Sequence, residues 1–85
     1  MDTKRHYTIG YTSEKSRASR KQIRSWENLG LIPKAKRVVC GSVSYRYFND
    51  THIAIISEIK SLMDEDGLTL KAAAKRTKEK FKKYV

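Results

Sequence analysis

Between Ser19 and Gly30 the chain reads Ser-Arg-Lys-Gln-Ile-Arg-Ser-Trp-Glu-Asn-Leu-Gly, and this stretch constrains the fold more than any other. Set at about 100° per residue, it is a short helix with two opposed faces. Ile23, Trp26 and Leu29 recur three apart and form the apolar side that supports a core. Arg17, Arg20, Lys21, Arg24 and Asn28 fall within roughly a 100° arc nearly opposite. Ser19 is a good N-cap, Gly30 offers a left-handed stop, and Pro33 lies just beyond. A helix that packs by one face and offers cations and an amide on the other suits the DNA major groove. Arg and Lys pair with guanine or phosphate there, and Asn with adenine. Taken alone, the same pattern also describes a solvated basic face.

Charge weighs on that choice. Among 85 residues, 19 Lys and Arg face 9 Asp and Glu, a formal net charge of +10. So large an excess on one small domain points to polyanions as partners. No run approaches the ~18 apolar residues that a membrane span needs, and no signal-peptide pattern opens the chain. A single cysteine, Cys40, excludes an internal disulfide. The expected location is the cytoplasm, in association with the nucleoid.

Residues 1–6 read as a flexible basic leader, and residues 7–85 as one domain. From Gly10 to Ser16 the pattern is a weak helix with Ile9 and Thr12 turned inward. Arg17-Ala18 then makes the tight turn of a helix-turn-helix. After Pro33 the period changes. Val38-Val39-Cys40 and Val43-Ser44-Tyr45-Arg46-Tyr47-Phe48 flank Gly41-Ser42, which predicts a β-hairpin. Alternation puts Val43, Tyr45 and Tyr47 on one face and Ser44, Arg46 and Phe48 on the other. Tyr45 and Tyr47 are expected to be the side that leans on the helices. With Lys36, Arg37 and Arg46, the hairpin is a basic wing fit to straddle phosphates.

Asn49-Asp50 caps a third helix, in which Ile53, Ile56, Ile59, Leu62 and Met63 form a core stripe. Asp64-Glu65-Asp66-Gly67 closes it with an acidic turn that should face away from DNA. A last helix is predicted from Thr69 to Tyr84, with Leu70, Ala73, Ala74, Thr77, Phe81 and Tyr84 inward. The expected architecture is mainly α, with about four helices and a two-stranded wing.

Enzymatic chemistry has little footing. His6 lies in the leader and His52 in the first turn of a helix, where a surface position is expected. Neither belongs to a constellation with Ser, Cys or carboxylates. The three acidic residues lack calcium-loop spacing, and one thiol cannot build a metal site. No catalytic residue, metal or cofactor is expected.

Tyr7-Thr8-Ile9-Gly10, Ile23-Arg24, Trp26-Glu27, Leu29-Gly30-Leu31-Ile32-Pro33, Tyr45-Arg46-Tyr47-Phe48 and the Ile53–Leu62 stripe occur in order at set separations. This series resembles the DNA-binding domain of the MerR family of bacterial transcription regulators, over about Tyr7 to Lys75. The resemblance implies a winged helix-turn-helix whose second helix, starting near Ser19, reads the major groove. It further implies that Arg24 and Arg46 hold phosphates and that Lys21 sits at the groove. Full-length members pair through a long helix and bend or untwist promoter DNA. No long pairing helix is read up to Val85, so the chain is expected to be either a fragment of a regulator or a small stand-alone member, and effector sensing is not carried over. The chain departs from the family pattern at Ser25, where an aromatic is usual, and at Arg17, where Gly is common.

Three functions fit. The first is a sequence-specific regulator acting on double-stranded DNA as a homodimer or cooperative multimer, with RNA polymerase as a further partner. The second is an excisionase-like recombination accessory or architectural DNA protein. The third is a protein-interaction module whose basic surface meets an acidic partner.

Overall fold

A computed structural model describes residues 6–81. Most of the expected leader and the stretch 82–85, including Tyr84, lie outside the described residues. Among the described residues, four helices and one two-stranded antiparallel sheet follow in the order α1, α2, β1, β2, α3, α4. The mainly helical, winged helix-turn-helix architecture is the one the sequence predicts.

Helix α1 spans Ile9–Ser16. Thr8 caps it, its hydroxyl accepting from the Tyr11 amide at 3.1 Å. Its inward residues are the small polar Thr12 and Ser16, both buried. Their polarity is satisfied locally: the Thr12 hydroxyl donates to the Thr8 carbonyl at 2.8 Å. Ser16 Oγ accepts from the Ala18 amide at 3.3 Å. Small hydroxyls that bond within their own turn let a short helix pack closely without an aliphatic stripe.

Helix α2 spans Arg20–Asn28 and opens with a full capping box. Ser19 Oγ accepts from the Gln22 amide at 3.0 Å, and Gln22 Oε1 accepts from the Ser19 amide at 2.9 Å. At its far end Gly30, at φ 77°, turns the chain. The Gly30 and Leu31 amides donate back to the Glu27 and Trp26 carbonyls at 3.1 and 2.9 Å, a Schellman closure.

Strands β1 (Lys36–Cys40) and β2 (Val43–Tyr47) form the wing. Only the first of the two turn residues, Gly41, has positive φ, as a type II′ turn requires. Past β2, Tyr7 and Phe48 exchange backbone hydrogen bonds of 2.7 and 2.8 Å, which tie the start of the domain to the wing. Helix α3 covers Asp50–Asp64, capped by Asn49, and α4 covers Leu70–Lys80, capped by Thr69.

The core draws on every helix-bearing segment. Ile23 and Trp26 of α2, Phe48, and Ile55, Ile56 and Ile59 of α3 are buried, and Ala73 and Ala74 let α4 approach closely. Four expectations need correcting. Leu29 is 64 % exposed, because α2 ends there and the reversal at Gly30 sends Ile32 into the core in its place. Tyr45 is 47 % exposed and Tyr47 only partly buried, so the tyrosine face of the wing does not form core. His52 is buried rather than at the surface. On α3, Ile55 is core while Ile53 is only partly buried.

Candidate nucleic-acid interface

The wing faces are settled by register. Arg37 pairs with Arg46 across the strands, and Val38 with Tyr45. Directly opposed residues share a face, so the two arginines lie side by side on the face whose strand leads to buried Phe48. Two like charges in that position repel, and a carboxylate resolves the conflict. Glu27 of α2 is fully buried. Its Oε1 accepts from Arg46 Nε at 2.8 Å and from Arg37 Nη2 at 3.2 Å. Its Oε2 accepts from the Ala35 amide at 2.6 Å. Burial pushes the Glu27 carboxyl up. The Ala35 and Arg46 hydrogen bonds and the charges of Arg37 and Arg46 outweigh it and hold the pKa below its ordinary 4.5. Glu27 therefore locks the wing to α2.

That ion-pair cluster revises the expected role of Arg46. Its guanidinium head is turned inward on Glu27, with the side chain 25 % exposed, and it serves first as a wing anchor. Arg37, 42 % exposed, shares the anchor. The sequence places Glu27 in the Trp26-Glu27 pair of the family series but assigns it no role. Its signal was present: it lies four residues beyond Ile23, on the side of the helix that packs.

The remaining candidates divide by position. Ser19, Arg20, Lys21, Arg24 and Asn28 are all exposed on or beside α2. Arg24 lines a groove of about 230 Å³ with Thr8 and Ile9 at the start of α1 and with Ser44 to Tyr47 of the wing. Helix and wing thus open onto one surface. The Arg20 guanidinium lies against α1 at Gly10, where an added Cβ would come within 2.8 Å of its Nη2. Arg17 caps α1 in the left-handed conformation at φ 68°. Its Nη2 is 4.0 Å from Glu65 Oε2, so it turns to the acidic turn that was expected to face away from DNA. Lys36 lies on the outer wing face, beside His6, Val38 and Tyr47.

His52 is a structural clasp. Its Nδ1 accepts from the Asn49 amide at 3.2 Å, which leaves Nε2–H to donate to the Pro33 and Lys34 carbonyls at 3.1 and 3.3 Å. Burial lowers its pKa below 6.5, against the two carbonyls and the Glu27 charge, which raise it. Among the described residues no group of three or more His, Cys, Asp or Glu is placed to hold a metal. Cys40 is free and exposed near the wing tip. None of the described helices is long and apolar enough to cross a membrane.

The comparison with curated proteins returns no match. A family model described as the MerR HTH family regulatory protein matches residues 7–80, most of the chain. Regulators of this family bind double-stranded DNA and control transcription. On that match, supported by the wing and the capped second helix, the chain belongs to the MerR helix-turn-helix family of regulatory proteins.

Proposed function

We propose that this domain reads double-stranded DNA with α2 in the major groove and the wing along the adjacent backbone. The observation that carries the reading is the groove shared by Arg24 and Ser44–Tyr47, since one duplex can then touch both elements. Lys21 and Asn28, exposed on α2, are the base-reading side chains. Ser19, Arg20, Arg24 and Lys36 hold phosphates. Arg37 and Arg46 act mainly by fixing the wing, and they lend their remaining donors to the backbone. Arg17 contributes through charge alone. The site of action is the nucleoid in the cytoplasm, where the chain acts as a homodimer or cooperative multimer and meets RNA polymerase.

Selection of bound sites from a random DNA pool, followed by sizing of the complex, tests this. An enriched inverted repeat carrying two chains supports the regulator. Head-to-tail repeats would reassign the same reading head to an excisionase-like accessory role. Absence of enrichment would reject sequence-specific reading.

A further inference from the structure

A second concave surface shares no lining residue with the Arg24 groove. Leu31, Ile32, Pro33, Ile55 and Phe81 help enclose a cavity of about 220 Å³. A second cavity of about 220 Å³ lies between Leu31 and Ala74 and the side chains of Lys71, Lys75 and Lys78. Leu31 and Lys78 line both, so the two make one trough along α4. Its floor is apolar, and its rim is three exposed lysines spaced four and three apart on one helix face. Lys60 and Lys80 are paired with Asp64 and Glu58. Among the described residues Lys71, Lys75 and Lys78 have no acidic partner. Among the described residues, Thr77 beside the first cavity is buried and its hydroxyl has no hydrogen-bond partner.

We propose that this trough docks an acidic amphipathic helix of another protein. DNA would answer the three ammonium groups but has no apolar ridge to fill the floor formed by Leu31, Ile55 and Phe81. The described helices of a second copy offer no apolar stripe flanked by carboxylates, because the exposed large apolar residues are Tyr11, Leu29 and four on the wing. A helix with apolar residues at i, i+3, i+4 and i+7 fits a groove of this kind. Carboxylates flanking that stripe reach the lysine heads while the lysine stems stay against the apolar floor. The trough shares no lining residue with the Arg24 groove proposed to meet DNA.

The test is titration of the ¹⁵N-labelled protein with a synthetic helical peptide of about 15 residues, leucines on one stripe and glutamates beside it. A peptide of the same composition in scrambled order is the control. The expected result is saturable shift changes at Leu31, Ala74, Lys78 and Phe81. Lys75→Glu with Lys78→Glu should weaken binding roughly tenfold or more, and Lys71→Glu should weaken it less. All three positions are exposed, and circular dichroism should report unchanged helicity. The proposal is overturned if the scrambled peptide binds as well, if no saturation occurs, or if the shifts map to Arg24 and the wing. It is equally overturned if the reversed lysines weaken duplex DNA as much as the peptide, or if the trough residues shift on self-association instead.

Discussion

Glu27 Oε1 lies 2.8 Å from Arg46 Nε, and the same oxygen takes a 3.2 Å bond from Arg37. A fully buried carboxylate on the second helix thus bridges two arginines that stand opposite each other on the wing. These bonds tie the wing to α2 and so help set the shape of the surface proposed to meet DNA.

Breaking the cluster from either side should have unequal effects. Arg46→Ala leaves a buried carboxylate short of a donor and should cost about 3–5 kcal/mol. Glu27→Gln leaves partly exposed arginines that can turn to water, and should cost about 1–3 kcal/mol. The double variant should be less damaged than the sum, because each change removes the same interaction. Urea denaturation of the three variants measures this, and strict additivity would remove Glu27 from its assigned role.

Acid should act on the same group. The Glu27 carboxyl is depressed in the folded state, so its contribution is present above the ordinary value of about 4.5. It is lost as pH falls through the depressed folded value. Thermal midpoints between pH 6 and pH 2.5 should drop less steeply in Glu27→Gln than in the parent protein.

His52 supplies a second, milder pH dependence with its own window. Its folded pKa is lowered, so folding favours the neutral ring. The stability tied to it is complete above about 6.5, declines as pH falls below that value, and levels off below the folded pKa. Urea midpoints measured from pH 7.5 to pH 5 should fall, and the fall should flatten in His52→Gln. A profile identical to the parent's in that variant would place the dependence elsewhere.

Trp26 should be the most costly single truncation in α2. It is 3 % exposed and belongs to a core cluster of twelve apolar residues among those described, in a chain of 85 residues. Trp26→Ala should cost about 3–5 kcal/mol, a large share of the stability of a domain this small; far-ultraviolet circular dichroism reports the loss directly.

DNA affinity should separate readers from holders. Lys21→Ala or Asn28→Ala should relax sequence preference by about 1–3 kcal/mol at the contacted base. Arg24→Ala should weaken all sequences alike and make the salt slope shallower by about one. Binding isotherms on selected and random duplexes at several salt concentrations distinguish the two. Unchanged discrimination in both α2 variants would show that the reading face lies elsewhere.

Much of this was legible in the chain itself. The Ser19 cap, the Gly30 stop and the Ile23–Trp26 spacing determine α2, because capping and helical periodicity act within a few residues. Gly41 determines the wing turn for the same reason. What the order of residues left open was which side of the hairpin packs. Alternation divides a strand into two faces but does not say which one meets the core. Hydrophobicity pointed to the tyrosines, yet the wing turns Arg37 and Arg46 inward because a buried carboxylate from another element is waiting for them. Leu29 and His52 changed places with expectation for a related reason, since the turn after α2 and the cap of α3 decide what each can reach. Local chemistry set the elements; the balance of one buried charge against two, made only when distant segments meet, decided how they fit together.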